Sequence, residues 1–511
     1  MKKNKPRKIT WFTQFAYGSG NLLGSGALAI SGAWLLYFYT TFCGLSVVEA
    51  TLIFSVATYL DVILNPIMGF VTDGFYQTKL GKKFGRRRFF ILIGIPLMLV
   101  YPLLWVNNMN FWYYLTTYIV FEIIYNSVMI PYDTLATEMT KDFSKRTYLT
   151  GAKAMFGKIA NFLAAAIPGM FIGVLGKDSP LPFFYTGLVY GLIMMVALIL
   201  LYFNSWERSY EEVEVERVGN FWRSIKKLFV DILSTLRIRT FRHHMGMYLF
   251  GFGAEWLFAA VFTYFVVFVL QRPATFVSGM NSLSSILQLI STAVFIAICV
   301  KKGFTKPFTW ALSIVVVAVI LYSAVYFLNI QNLTPLIIGI TIVFGLGTGG
   351  VYYIPWSVYT FMADVDEVVT NRRREGVYAG AMTMAGKLVR ASVIAIMGLI
   401  LAQSGFESGA QVQPPSAVHA ILGVLIIGVV GLALIGIYFS NKMKLTPETH
   451  KIILAEIDRI HNGGKMEDVN QKTKEVIEQL TGFPYEKCFG NNNVGYQEKG
   501  NRKQDVQEKI G

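Results

Sequence analysis

Two lysine residues stand at matching positions in an octapeptide that the chain contains twice. Gly151–Lys158 and Gly380–Lys387 agree at five of their eight positions, and each copy follows an Ile-Pro-aromatic triplet in strongly apolar sequence. An ammonium group in such surroundings needs an anionic partner, so both lysines are candidates for charge pairing inside a membrane. The repeat indicates a duplicated membrane unit with one lysine at the same depth in each half, a layout typical of transporters with two helical bundles around a central site.

Carboxylic acids also occur within apolar stretches. Asp61, Glu122 and Glu255 are the clearest cases, and a carboxylate inside a membrane is costly enough to indicate a function. Asp61 is the predicted ionic partner of at least one of the two lysines, and a purely structural hydrogen-bonding role is the alternative for it. Glu255 could contact a substrate or act in gating.

The composition excludes a soluble globular protein. Of the 511 residues, 54% are hydrophobic and only 15% are charged, whereas soluble domains carry about 25% charged residues. The formal net charge of +15 lies in short clusters between apolar stretches, which indicates membrane topology and not nucleic-acid binding. The sequence has no complete phosphate-binding loop, hydrolase motif or metal-binding set of cysteines, so neither an enzyme activity nor a cofactor is predicted.

Twelve apolar spans are long enough to cross the roughly 30 Å hydrocarbon core of a bilayer. They are centred near residues 30, 59, 98, 122, 163, 193, 257, 288, 317, 346, 389 and 428. The predicted fold class is an all-α integral membrane protein with twelve transmembrane helices in two pseudo-symmetric six-helix bundles. The predicted parts are an N-terminal bundle (1–204), a cytoplasmic connector (205–242), a C-terminal bundle (243–440) and a partly disordered cytoplasmic tail (441–511) that begins with a short helix over 447–462.

Clusters of basic residues set the predicted orientation. They follow spans two, four, six, eight and ten, whereas the alternate connections hold almost no positive charge. By the positive-inside rule, both termini are cytoplasmic. The first apolar stretch is too long for a signal peptide and is predicted to be retained as a helix. We therefore expect a monomeric multi-pass protein of the plasma (inner) membrane, in contact with membrane lipid.

The sequence around the second span resembles the loop signature of the major facilitator superfamily. Its parts are Asp61 to Gly69, Asp73, and the arginines Arg86, Arg87 and Arg88. The resemblance implies that Asp73 faces a helix N-terminus in the other half and that the arginines form ion pairs that break during opening. These four residues are the predicted gating residues, with simple positive-inside charge as the alternative for the arginines.

Further motifs are similar to those of the glycoside-pentoside-hexuronide:cation symporter family within that superfamily. They are Tyr17-Gly18-Ser19-Gly20, Asp61 with Asn65 to Gly69, Ile130-Pro131, Met362-Ala363-Asp364 before Arg374-Glu375-Gly376, and Leu445-Thr446-Pro447-Glu448. Together they cover nearly the whole chain. The resemblance implies a secondary transporter that moves a glycoside with a cation by alternating access, and residues 34–44 with 84–90 further resemble oligogalacturonide carriers.

The resemblance also implies a cation site on the second and fourth helices. Carried over by position, the site consists of Asp61, Asn65 and Asn126, and Glu122 joins it because it lies one helical turn before Asn126 on the same side. Asn65 replaces a second carboxylate found in family members. Hard cations need several oxygen ligands, so this replacement favours a proton as the coupling cation. A sodium ion completed by backbone oxygens is the alternative.

The implied substrate site combines the two repeated lysines with aromatic residues, because pyranose rings offer both C–H faces and hydroxyl groups. The candidates are Lys158, Lys387, Tyr132, Trp256, Tyr353 and Trp356. Acids of family members are replaced at Ser25, Asn65 and Met129, which makes the cavity less negative and favours an acidic sugar or oligosaccharide, such as an oligogalacturonide. Transport of a lysolipid, as in other members of the superfamily, is the alternative function.

Overall fold

A computed structural model of the protein describes residues 8–140, 143–207, 221–327, 333–372 and 374–495. Within these ranges the regular structure is helical throughout. The N-terminal half contains α1 (Trp11–Phe42), α2 (Val47–Gly74), α3 (Arg88–Trp105), α4 (Phe111–Met139), α5 (Phe143–Leu175) and α6 (Leu181–Asn204). The C-terminal half contains α7 (Arg239–Val269), α8 (Ala274–Lys302), α9 (Thr305–Val325), α10 (Thr334–Val358), α11 (Glu375–Gln403) and α12 (Pro415–Lys442).

Side-chain caps fix where two central helices begin. At the start of α2, the Ser46 hydroxyl accepts a hydrogen bond from the Glu49 amide, and the Glu49 carboxylate accepts one from the Ser46 amide at 2.9 Å, which is a complete capping box. At the start of α4, Asn110 accepts a hydrogen bond from the Tyr113 amide at 2.9 Å. Both helices then continue for 28 and 29 residues, so their caps set the depth of the polar residues that follow.

Ten of the described helices are long and apolar enough to cross a membrane. The other two long helices, α2 and α4, contain 28 and 29 residues, which is also sufficient length at about 1.5 Å per residue. They carry Asp61 and Glu122. The predicted all-α membrane fold is confirmed.

The most extensive contacts between the two halves are two crossings, α2 with α11 and α5 with α8. Small residues allow the backbones to approach, as is common between membrane helices. Gly398 of α11 stands against Thr51 of α2, and Gly169 of α5 stands against Ser278 of α8. The two crossings are equivalent by the duplication, because α2 corresponds to α8 and α5 corresponds to α11, as expected for a duplicated unit.

The halves are joined most closely on the side of the membrane that carries the α1–α2 turn. Ser55 donates a hydrogen bond to the carbonyl of Ala391 at 3.0 Å, and Thr263 donates one to the carbonyl of Ala33, also at 3.0 Å. Among the described residues, hydrogen bonds between the halves lie on this side or at the depth of the two repeated lysines. The structure is therefore closed on the side opposite the tail.

The connector between the halves is shorter than predicted. It contains a helix, Phe221–Thr235, but α7 already begins at Arg239, before the predicted boundary after residue 242. The segment was predicted to be a charged, partly amphipathic connector up to residue 242. Phe241 within it is fully buried and packs edge-on against Tyr378, with ring centroids 4.7 Å apart, so the last residues of the predicted connector belong to the membrane helix.

The tail packs against the end of the C-terminal half at which α7 begins. Its first helix is Pro447–His461, close to the predicted 447–462. Burial would raise the pKa of the Glu456 carboxyl in this helix, but hydrogen bonds donated by Arg459 and Tyr485 lower that pKa below its usual range. Further along, the Phe489 amide donates to the carbonyl of Val368 at 2.6 Å, so the Gly- and Asn-rich part of the tail has a defined position.

Candidate functional site

The centre of the site is a carboxylate held by residues from two other helices. Asp61 of α2 is 3% exposed, forms an ion pair with Lys387 of α11 and accepts a hydrogen bond from the amide group of Asn126 on α4. Asn126 Oδ1 in turn accepts a hydrogen bond from Lys387 Nζ at 3.4 Å. The structure thus brings three of the predicted residues together and joins the N-terminal half to the C-terminal half at this point.

The hydrogen-bond partners determine the orientation of the Asn126 amide. Its Nδ2 group donates both to the Asp61 carboxylate and to the backbone carbonyl of Glu122, the latter at 2.7 Å. Both of these partners are acceptors, whereas Lys387 is a donor, so the amide oxygen must face the lysine. The group that Asn126 presents to Asp61 is therefore an N–H and not an oxygen ligand.

A second acid and a second cation lie beside this centre. Glu122 is 4% exposed and lies close enough to Tyr118, Asp61, Lys387 and Arg390 to interact with them electrostatically. Arg390 was not among the predicted site residues, and its guanidinium packs over the ring of Phe54 at 4.9 Å. Its signal in the sequence is a second basic residue, one helical turn after Lys387, inside an apolar span.

The second repeated lysine has a different partner. Lys158 Nζ of α5 donates a hydrogen bond to Gln288 Oε1 of α8 at 3.1 Å and lies over the ring of Tyr352 on α10 at 5.6 Å. This contact belongs to the α5–α8 crossing, whereas the Asp61–Lys387 pair belongs to the α2–α11 crossing. Gln288 and Tyr352 were also missed in the sequence, because only the crossing places them beside the lysine.

Two of the predicted aromatic residues belong to one cluster on α7 and α10. The rings of Trp256 and Trp356 both contact Tyr248, with centroids 6.4 and 5.8 Å away. Gly386, the residue before Lys387, stands against the Tyr248 hydroxyl, so the cluster adjoins the charged centre. Tyr353 is partly buried on α10.

Tyr132 occupies a packing position, which argues against the predicted contact with a sugar. It is fully buried, its ring packs against Tyr17 with centroids 5.0 Å apart, and its hydroxyl donates to the Tyr17 carbonyl at 2.8 Å. Nearby, Lys153 forms an ion pair with Asp133 at 2.5 Å. This group holds α1, α4 and α5 together, away from the charged centre.

The three predicted gating arginines brace the N-terminal half. Arg86 forms an ion pair with Glu138 of α4 at 2.6 Å, Arg87 donates to the carbonyl of Thr134 at 2.8 Å, and Arg88 donates to the carbonyl of Tyr202 on α6 at 2.9 Å. These contacts tie the start of α3 to α4 and α6 within one half. The side chains of Asn65 and Asp73 lie outside the part of the structure that is described.

The site as a whole can bind one cation at a single carboxylate, in competition with an internal ammonium group. Within the described residues, no group of three or more His, Cys, Asp or Glu side chains is arranged to hold a metal ion. The amide of Asn126 is committed to donating toward Asp61. The aromatic cluster supplies apolar faces next to the charges, which is the combination of surfaces that a sugar ring can use.

Comparison with known proteins places the chain in a transporter family. It is 23% identical to the isoprimeverose transporter of Lactiplantibacillus pentosus (89% of this chain, 92% of the relative) and 20% identical to the glucuronide carrier protein homolog of Escherichia coli (88% and 96%). The crystal structure of a D-xylose-proton symporter has the same fold, with a TM-score of 0.58 at 16% identity over 85% of this chain and 97% of that one. The family model described as MFS/sugar transport protein matches residues 16–441. This chain therefore belongs to the MFS/sugar transport protein family, as its motifs predicted.

Proposed function

We propose that the protein is a proton-coupled symporter that takes up an acidic glycoside or oligosaccharide by alternating access. In this proposal it acts as a monomer in the plasma membrane with both termini in the cytoplasm. The observation that carries the proposal is the Asp61–Lys387 ion pair, because it joins the two halves at the middle of the bundle. A ligand that breaks this pair changes the contact on which the relative position of the halves depends.

The pair provides a physical rule for coupling. In the empty carrier, Asp61 and Lys387 neutralise each other, so the halves can move around them. A proton on Asp61 leaves the Lys387 ammonium without its partner, and a buried unpaired charge strongly opposes closure of the cavity around it. A substrate with a carboxylate or hydroxyl group next to Lys387 restores the missing contact, so the loaded carrier can switch again.

The geometry favours a proton over a sodium ion. A bound sodium ion would need several oxygen ligands, as hard cations do, but Asn126 presents an N–H to Asp61 and its oxygen accepts from Lys387. A proton needs only the carboxylate itself. Glu122, buried beside Asp61, is a second group that could hold a proton in the same cavity.

The substrate class is inferred from the relatives and from the lysines. The names of two relatives refer to a glucuronide and to isoprimeverose, both of which are glycosides. Lys158 and Lys387 at the centre favour an anionic ligand, and Trp256 and Trp356 provide aromatic faces beside them. Lysolipid transport is the competing function, and the experiment below distinguishes it from sugar transport.

The test is counterflow in vesicles that contain the purified full chain. Neutral and acidic oligosaccharides and a lysolipid are offered in turn, under imposed proton or sodium gradients. We expect exchange of acidic oligosaccharides and accumulation driven by the proton gradient. Strong stimulation by sodium without proton uptake would overturn proton coupling, and exchange of the lysolipid without exchange of any sugar would overturn the substrate class.

A further inference from the structure

The two crossings between the halves are built to one pattern but carry different charges. Lys158 and Lys387 occupy the same place in the repeated octapeptide. Their partners also match, since Asp61 is 14 residues from Val47 at the start of α2 and Gln288 is 14 residues from Ala274 at the start of α8. Gln288 is therefore the positional counterpart of Asp61, with an amide in place of the carboxylate.

This replacement leaves Lys158 without a counter-ion. Its ammonium contacts the Gln288 oxygen at 3.1 Å and the Tyr352 ring at 5.6 Å, but no described carboxylate forms an ion pair with it. Lys387, by contrast, is paired with Asp61. A positive charge at the middle of a membrane protein normally has an anionic partner. Among the described residues, the lysine has such a partner at one crossing and lacks one at the other.

The neighbours of Lys158 suit a carboxylate carried by a sugar. The Gln288 oxygen accepts from the lysine, so its Nε2 group remains a donor, and within the described residues no acceptor is hydrogen bonded to it. Tyr352 packs edge-on against Phe252, with ring centroids 5.1 Å apart, and Phe252 packs against Trp256 at 5.5 Å. The lysine is thus connected to the aromatic cluster, which could hold the ring that bears the carboxylate.

We propose that Lys158, Gln288 and Tyr352 form a carboxylate-binding subsite that selects uronic-acid glycosides. The ammonium group of Lys158 and the Nε2 group of Gln288 donate to the two carboxylate oxygens, and the face of Tyr352 contacts the sugar ring. The substrate then supplies the negative charge that Asp61 supplies at the other crossing. This inference rests on the proposed function and specifies which group of the substrate is recognised and where.

The experiment compares two probes, digalacturonate and the neutral digalactoside of the same linkage, in counterflow with the reconstituted full chain. Gln288→Glu places a carboxylate beside Lys158 and reproduces the pairing of the other crossing. We expect the ratio of acidic to neutral exchange to fall by about tenfold or more. Lys158→Gln should lower the same ratio, whereas Lys158→Arg should preserve most of it. Gln403→Glu, which adds the same charge at the far end of α11, is the matched control and should leave the ratio as it is.

A measurement without a substitution keeps the proposal testable if the variants fold poorly. Digalacturonate should protect Lys158 of the unaltered protein from an amine-acylating reagent, measured by mass spectrometry, and the neutral probe should protect it much less. Equal protection by both probes, or a ratio insensitive to Gln288→Glu, would overturn the subsite and leave sugar transport standing. Failure of the unaltered protein to exchange either probe would overturn the proposed function and the subsite with it.

Discussion

Asp61 accepts contacts from an ammonium group and an amide at the same time, and the two donors come from different halves of the molecule. Removing one member of a buried ion pair leaves the other charge uncompensated, which costs far more than removing both. In the proposed mechanism the residue therefore has two separable roles: it binds the driving cation, and it neutralises Lys387.

Asp61→Asn should abolish accumulation of substrate against a gradient while some exchange remains. The substitution removes the carboxylate that pairs with Lys387 and that takes up the coupling proton in the proposed mechanism, but it leaves the sugar-facing side chains in place. The measurement is uptake driven by an imposed proton gradient, compared with counterflow in the same vesicles. Active uptake at the level of the unaltered protein would show that Asp61 does not couple transport.

The ion pair also predicts a stability relationship. Asp61→Asn alone should lower the thermal unfolding midpoint more than the double substitution Asp61→Asn with Lys387→Gln, because the single change leaves a charge unpaired, at a cost of up to about 3 kcal/mol. Unfolding of the purified protein in detergent measures both. If the double variant is less stable than the single variant, the pair is not the dominant contact of Lys387.

For individual residues, the sequence predicted which charged side chains pair with each other better than it predicted which other side chains lie beside them. Charged residues in apolar spans made Asp61 and Lys387 evident, since few other groups could neutralise them. Arg390 and Gln288 were not predicted, because their importance comes from the helices they face and not from their residue types. Tyr132 follows an Ile-Pro motif just as Trp356 does, but it faces α1 in the core, and the direction of a side chain within a fully apolar helix leaves no periodic signal.

At the α5–α8 crossing, a small residue on one helix allows close approach of the other. Gly169 of α5 stands where an added Cβ would enter contact distance of the Ser278 hydroxyl on α8, whereas Gly173, one turn further along, faces open space. The close approach is thus confined to one turn of the helix. This difference gives a variant and its control within the same element.

Gly169→Val should slow transport by about tenfold or more, because the side chain would hold α5 and α8 apart on the side where the halves are closed. Gly173→Val should have an effect of about twofold or less, as is usual for substitutions without contacts. Initial rates of counterflow provide the comparison. Equal effects of the two substitutions would mean that the crossing does not need the small residue.

Most helices were predictable from the length and hydropathy of the apolar spans. The exception is the start of α7, which lies within a basic segment in which Phe241 is buried. The partners of each helix were less accessible to prediction. The pairing of α2 with α11 and of α5 with α8 depends on how the two bundles face each other. The repeat in the sequence predicts only that each contact between the bundles has a symmetric counterpart.

The whole molecule is closed on one side by contacts between its halves, and these contacts must separate if the site is to open there. Ser55 with Ala391 and Thr263 with Ala33 join different pairs of helices on that side. Gly398 and Thr51 approach each other on the same side, nearer the α1–α2 turn. Opening therefore requires the halves to move as units, since no single helix carries the closure.

A disulfide bond across this side should stop transport reversibly. We expect the pair Ser55→Cys and Ala391→Cys, at positions that are in contact across the halves, to lose transport on oxidation and to regain it with a reducing agent, because the bond prevents α2 and α11 from separating. Each single substitution is the control, and the three native cysteines are buried. Undiminished transport with the bond demonstrably formed would contradict alternating access around this contact.

The depth of the central pair has an electrical consequence. Asp61 lies 14 residues from the start of a helix of 28, so a cation that reaches it from either side crosses about half of the membrane. Moving one charge across the full membrane involves about 2.3 kcal/mol per 100 mV, so binding at Asp61 alone should respond by about half of that. The empty carrier returns with Asp61 and Lys387 neutralised, and the pair then moves no net charge. A single carboxylate on the substrate cancels the charge of the proton, so uptake of a monoanionic glycoside should respond little to a membrane potential. Uptake of a neutral glycoside with a proton should be favoured by a potential that is negative inside.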